Sequence, residues 1–194
     1  MSPHLSERGL IHAPMGRDAK VAASILSEAR IHSSVCPSLA GFVEDLVHGA
    51  GFAVVTEEAL RTADLHPLAD WVGTQPEWSD FPFIILTLRG GIERNPAAIR
   101  LLRTLGNVNF LERPFHPTTL VSLVQSAIRG RQRQYDARAR LEALADLNET
   151  LEARVTASLA EHKVLADIVE STDALVQVVD LERRILAVNR ASAT

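Results

Sequence analysis

The sequence predicts an α/β protein: a five-stranded, doubly wound parallel sheet, then a long coiled-coil helix and a partial β-hairpin. Three observations predict it. Short apolar runs alternate with helix-period segments through the first two thirds of the chain. Several runs, such as Phe52-Ala53-Val54-Val55-Thr56, are continuously apolar, as strands buried on both faces are. From Thr118 onward there is no proline and one glycine, Gly130, so nothing stops the last helix where a compact domain would end.

The elements follow in order. Residues 10–13 form a first short strand, stopped by Pro14, which would remove a ladder donor. Residues 18–29 carry Val21, Ala22, Ile25 and Leu26 at helical spacing, with Asp18 expected as N-cap. A weaker strand over 31–36 makes Cys36 a buried strand residue. After Pro37, a helix places Leu39, Phe42, Val43 and Leu46 on one face, and Gly49 and Gly51 bracket its end. The third strand is 52–56, followed by a helix over 60–72 and a loop over 73–80 holding Pro76 and Trp78. The fourth strand spans 81–87. Asn95 is the expected N-cap of a helix over 96–105, with Pro96 at its first position. The fifth strand is 108–112, and Pro117 opens the final helix.

That helix carries a heptad. With Leu141 at a, Leu144, Leu151 and Leu165 fall at d, and Asn148, Val155 and His162 fall at further a positions. Asn148 favours a parallel, in-register homodimer, because its amide pairs best with its own mate. Leu147 and Leu159 at g and e widen the stripe. One long helix folded back on its own domain is the alternative. Beyond it, residues 174–180 and 184–189 are strand-like, with a turn at 181–183. A lone hairpin is marginal in water, so the expectation is the start of a further domain.

Composition narrows the function classes. The 194 residues are 46% hydrophobic and 23% charged, ordinary for a globular protein and too apolar for wholesale disorder. A net charge of −4 argues against a dedicated nucleic-acid binder. The single Cys36 excludes an internal disulfide framework and a cysteine-rich metal site. The histidines show no metal-ligand spacing, and no glycine-rich phosphate loop follows any strand, so no cofactor is expected. Apolar stretches such as 81–88 are too short to span a bilayer, and residues 1–12 lack the order of a secretion signal. A cytoplasmic protein is expected. Arg129, Arg131, Arg133, Arg138 and Arg140 cluster early in the last helix. With acids interspersed and only Tyr135 as an aromatic, a solvated helix face is expected there. Gly130 is a hinge candidate or a structural accident. Of Trp71 and Trp78, one is expected in the core, with a partner surface as the sharper reading.

The βα units over 8–128 resemble a response-regulator receiver domain. Three signatures carry the likeness: Thr87 ending the fourth strand, Glu112-Arg113-Pro114-Phe115 after the fifth, and Thr56-Glu57-Glu58 ending the third. The resemblance implies strand order 2-1-3-4-5. It also implies a site in which two acids after the first strand hold Mg²⁺, an Asp accepts phosphate and a Lys neutralises charge. This sequence departs from that pattern. Ala13-Pro14 replaces the acid pair, Thr56 stands at the acceptor position with Glu57 one residue along, and Arg113 stands at the Lys position. The implied reading is a phosphorylation-incompetent pseudo-receiver. In it, Glu57 and Glu58 are permanent charges facing Arg113, or else a solvated loop. The alternative is a degenerate but active acceptor using Thr56, Glu57 or Glu58.

Residues 185–191 are similar to the second-strand signature of PAS domains, with 165–170 as helical lead-in. The 151–155 segment is similar to the signalling helices of histidine kinases. The implied order is a receiver-like domain (1–128), a coiled-coil helix (129–170) and the start of a PAS domain (171–194). It resembles the N-terminal part of a hybrid sensor histidine kinase. The implied role is a non-catalytic, dimerising input module with a possible protein partner on the receiver-like domain, and without nucleic-acid binding or membrane insertion.

Overall fold

The computed structural model describes residues 8–61, 63–88, 96–171, 174 and 176–189. The chain divides into two compact units, Met1–Ala139 and Arg140–Thr194.

In the first unit, β1 (Gly9–His12), β2 (Ser33–Val35), β3 (Phe52–Thr56), β4 (Phe83–Thr87) and β5 (Val108–Glu112) form one parallel sheet in the order β2-β1-β3-β4-β5. Side chains alternate between its faces, and both faces are covered. Leu10, Ala53, Val55, Phe83 and Ile85 pack on one side with Phe42 and Leu46 of α2 (Leu39–His48). Ile11, Phe52, Val54, Ile84 and Leu86 pack on the other side. Their partners are Ala22 and Leu26 of α1 (Asp18–Glu28) and Leu120 and Val124 of the last helix. This two-sided burial is why the strands read as unbroken apolar runs. Gly9 has no room for a side chain, since a Cβ there would meet the buried Phe52 ring at 2.1 Å.

Three local expectations are corrected. The helix expected over 60–72 is two helices, α3 (Glu57–Arg61) and α4 (His66–Gly73). Pro67 lies in the first turn of α4, where its missing N–H costs nothing, whereas a continuous helix would drive its ring into an earlier carbonyl. The Asp64 carboxylate accepts the His66 backbone N–H at 3.0 Å and starts the new helix. Secondly, Asp18 does not cap α1: Arg17 holds the cap position without a side-chain bond, and the Asp18 carboxylate is engaged elsewhere. Ser38 does cap α2, accepting the Gly41 N–H at 3.2 Å. The cap expected at Asn95 lies outside the described residues; the helix it would open is α5 (Pro96–Leu105).

The third correction concerns the arginines of α6 (Pro117–Ser171), a helix of 55 residues. Arg131 is not solvated but only 7% exposed. Its guanidinium donates to Ser79 Oγ at 2.9 Å, Gln134 Oε1 at 2.7 Å and the Tyr135 hydroxyl at 2.9 Å. It also lies 4.7 Å from the ring centre of Tyr135, 5.5 Å from Phe81 and 5.8 Å from Trp78. Arg138 stacks 5.0 Å above Trp78. Gln134 brackets the Asp80 backbone, accepting its N–H at 3.1 Å and donating to its carbonyl at 3.0 Å. The loop before β4 is thereby fastened to residues 131–138. Trp78 faces Tyr135, while Trp71 meets Phe81 edge-on at 5.1 Å in the core.

In the second unit, Leu141, Leu144, Leu147, Leu151, Val155, Leu159 and Leu165 of α6 are all exposed. The Asn148 amide donates to Glu152 at 3.1 Å along the same helix. β6 (Gln177–Val179) and β7 (Ile185–Val188) form an antiparallel hairpin with an irregularity between Val178 and Val179. The buried Asn189 ties it down. It accepts the Val176 N–H at 3.0 Å and donates to the carbonyls of Val169 at 3.0 Å and Ala174 at 2.9 Å. No helix among the described residues is long and apolar enough to cross a membrane.

Candidate functional site

A parallel sheet gathers the carboxyl ends of its strands at one edge, where open α/β folds place their ligands. Here that edge holds Ala13 and Pro14 after β1, Thr56 closing β3, Thr87 closing β4 and Arg113 after β5. Pairing of Thr56 with Leu86 and of Thr87 with Glu112 brings the last three strand ends level.

Arg113 organises the edge. Its backbone N–H donates to the Thr87 carbonyl at 2.9 Å, and its Nε donates to the same oxygen at 3.3 Å. One terminal nitrogen donates to the Asp18 carboxylate in the first turn of α1, and the other to Glu58 Oε1 in α3 at 2.5 Å. The three side chains are 17%, 31% and 18% exposed respectively, so the cluster is largely withdrawn from water. Burial alone works against the Arg113 charge. The bonds to Glu58 and Asp18 outweigh it and raise the guanidinium pKa above its ordinary value. The Arg113-Pro114 peptide is cis.

The remaining residues expected at the site are placed as follows. Ala13 is buried and Pro14 exposed, and neither offers a metal ligand. Thr56 is buried, and its hydroxyl has no hydrogen-bond partner. Thr87 is buried at the end of β4. The two glutamates are separated: Glu58 reaches Arg113, while Glu57 is buried at the head of α3 and lines a different cavity. The solvated-loop reading of the pair is therefore incorrect.

These residues do not suit Mg²⁺. Ala13-Pro14 supplies no carboxylate after β1, and the nearby Asp18 carboxylate is occupied by Arg113. Among the described residues, no cluster of three or more His, Cys, Asp or Glu is placed to hold a metal.

Sequence reasoning missed a second polar group, beside β1 and β2. His12 Nδ1–H donates to the Cys36 carbonyl at 2.9 Å, and its ring stacks on Phe42. The Cys36 thiol donates to Asp45 Oδ2 at 3.4 Å, and Asp45 pairs with Arg8 at 3.2 Å. Burial first, then the Asp45 bond, pushes the Cys36 pKa up to about 11. Asp45 and Arg8 were readable as charged residues, but nothing local in the sequence joins positions 37 apart.

No family model matches the sequence. The chain is 29% identical over 151 residues to the transcriptional regulatory protein FixJ of Bradyrhizobium diazoefficiens, covering 76% of this chain and 68% of that protein. It also superposes on the crystal structure of full-length FixJ from B. japonicum with a TM-score of 0.54. The identity there is 23%, and the match covers 73% of this chain and 66% of that one. A putative response regulator from Chloroflexus aurantiacus J-10-fl gives a TM-score of 0.52 at 19% identity, covering 64% of this chain and 98% of that one.

The first unit has the receiver fold. The 2-1-3-4-5 order that the resemblance implied is the observed order. The chain spans about two thirds of the length of FixJ. In the receiver frame, the loop after β5 reaches the edge of the sheet through Arg113, and the Arg113 fork fills the space between α1 and α3.

Proposed function

We propose that the receiver unit is a phosphorylation-incompetent member of a two-component signalling protein, acting as a dimerising input module. The observation that carries this reading is the Arg113 guanidinium clasped by Asp18 and Glu58, next to an Ala13-Pro14 pair that cannot bind a metal. Phosphoryl transfer needs an accessible nucleophile and a cation free to meet the incoming charge. Thr56 is buried and Arg113 is already neutralised by carboxylates. The same facts count against Thr56, Glu57 or Glu58 as a substitute acceptor.

Output runs through α6. Its exposed heptad, with Asn148 at a, supports a parallel two-stranded coiled coil between copies of the chain. The hairpin over 177–188 then begins a PAS domain ahead of a kinase module, and a shift at the receiver unit reaches it as a change of helix register or tilt. Mass spectrometry of the chain after incubation with acetyl phosphate and Mg²⁺ tests the central claim. No covalent phosphoryl adduct is expected. An adduct mapped to Thr56, Glu57 or Glu58 would overturn the proposal.

A further inference from the structure

A cavity of about 420 Å³ lies outside the Arg113 cluster, between α5 and the α3–α4 connection. That volume is within the range of small-molecule sites. Its walls are apolar where Leu60, Leu65, Ala69 and Leu101 face it, and charged where Arg61 of α3 and Arg100 of α5 face it.

The lining holds two acids, Glu57 and Asp64, beside the two arginines, but both acids are already engaged. Asp64 is occupied by His66, whose ring Nδ1 lies 2.7 Å from its carboxylate, and Glu57 already engages the protein. Arg61 and Arg100 make no hydrogen bond or ion pair with any described residue. Two elements distant in sequence thus bring two uncommitted guanidinium groups to one cavity with an apolar floor. Arginine is suited to planar carboxylates, which it binds through paired donors.

From this convergence of Arg61 and Arg100 over the Leu60, Leu65, Ala69 and Leu101 floor, we infer that the cavity binds a small amphipathic carboxylate. The carboxylate is held by the two arginines and the hydrocarbon body lies against the leucines. Occupancy ties α5 to α3 and α4, and so fixes the helix that follows Thr87 and β4. The inference stands independently of whether the Arg113 cluster accepts phosphate.

The test is a ¹H–¹⁵N titration of the full chain with hydrocinnamate, its uncharged amide hydrocinnamamide, and inorganic phosphate. The expected result is saturable shifts at residues 60–69 and 100–104 with hydrocinnamate, and about tenfold weaker binding of the amide. Arg61→Ala and Arg100→Ala, both at exposed positions, should each weaken hydrocinnamate by about tenfold. Ala69→Phe, which fills the floor, should abolish its shifts while the spectrum stays folded. Equal binding of acid and amide, phosphate binding as tightly as hydrocinnamate, or shifts indifferent to the arginine variants would each overturn the inference.

Discussion

Arg113 donates to Glu58 across a sequence separation of 55 residues, joining the loop after β5 to the helix that follows β3. The same guanidinium reaches Asp18, so three chain segments meet on one planar cation. An arginine at this position is therefore a structural joint.

Removing that joint leaves the Asp18 and Glu58 carboxylates, both largely withdrawn from water, without their shared cation. Arg113→Ala is expected to cost about 2 kcal/mol, read as a lower urea midpoint with an unchanged slope. Arg113→Lys should recover only part of the loss, because an ammonium cannot fork between two carboxylates while also bonding the Thr87 carbonyl.

Cys36 sets a pH dependence. Its folded pKa is raised from 9.0 to about 11, so the native state favours the neutral thiol and the unfolded chain ionises first. The resulting stability is complete below pH 9.0 and is lost as pH rises toward about 11. Thermal midpoints measured across that window should fall more steeply in the native protein than in Cys36→Ala. Alkylation by iodoacetamide at pH 8 should be slow, because the thiolate is scarce and buried.

Arg131 fastens the loop before β4 to α6 through three side-chain hydrogen bonds and its aromatic neighbours. Arg131→Ala should destabilise the unit by about 2 kcal/mol and raise amide exchange at residues 79–81. Arg131→Lys should behave almost as badly, since Lys cannot serve Ser79, Gln134 and Tyr135 together from one planar group.

The proposed coiled coil makes a separate demand. Light scattering should report a dimer for residues 1–194 and a monomer for Leu144→Asp combined with Leu151→Asp, with the receiver unit still folded by circular dichroism. Asn148→Ile should raise the melting temperature of the helix while relaxing its preference for two strands.

The sheet was legible because its physics is local. Strands buried on both faces must be apolar at every position, and Phe52–Thr56 and Phe83–Thr87 state that directly. The break at Pro67 was equally local and was overlooked, because the apolar period continues through it. Arg131 was misread as solvated for a different reason. Its neighbours Trp78 and Phe81 arrive from a loop some fifty residues away, at the distance of the Arg131–Ser79 bond. Only Tyr135, one helical turn along, carried a signal. At the candidate site, the absence of the acid pair was plain in Ala13-Pro14. The occupation of Arg113 was not, since Asp18 lies 95 positions earlier and reads as an ordinary helix start.

That separation has a kinetic consequence. A contact spanning 95 residues forms only after most of the sheet has closed its loops, since loop closure must precede the gain from distant pairs. The Asp18–Arg113 bond is therefore expected to form late, after the folding barrier. Stabilisation of that kind leaves the folding rate nearly untouched and slows unfolding. An Asp18→Asn chain should refold at close to the native rate and unfold faster, as stopped-flow refolding and unfolding would show.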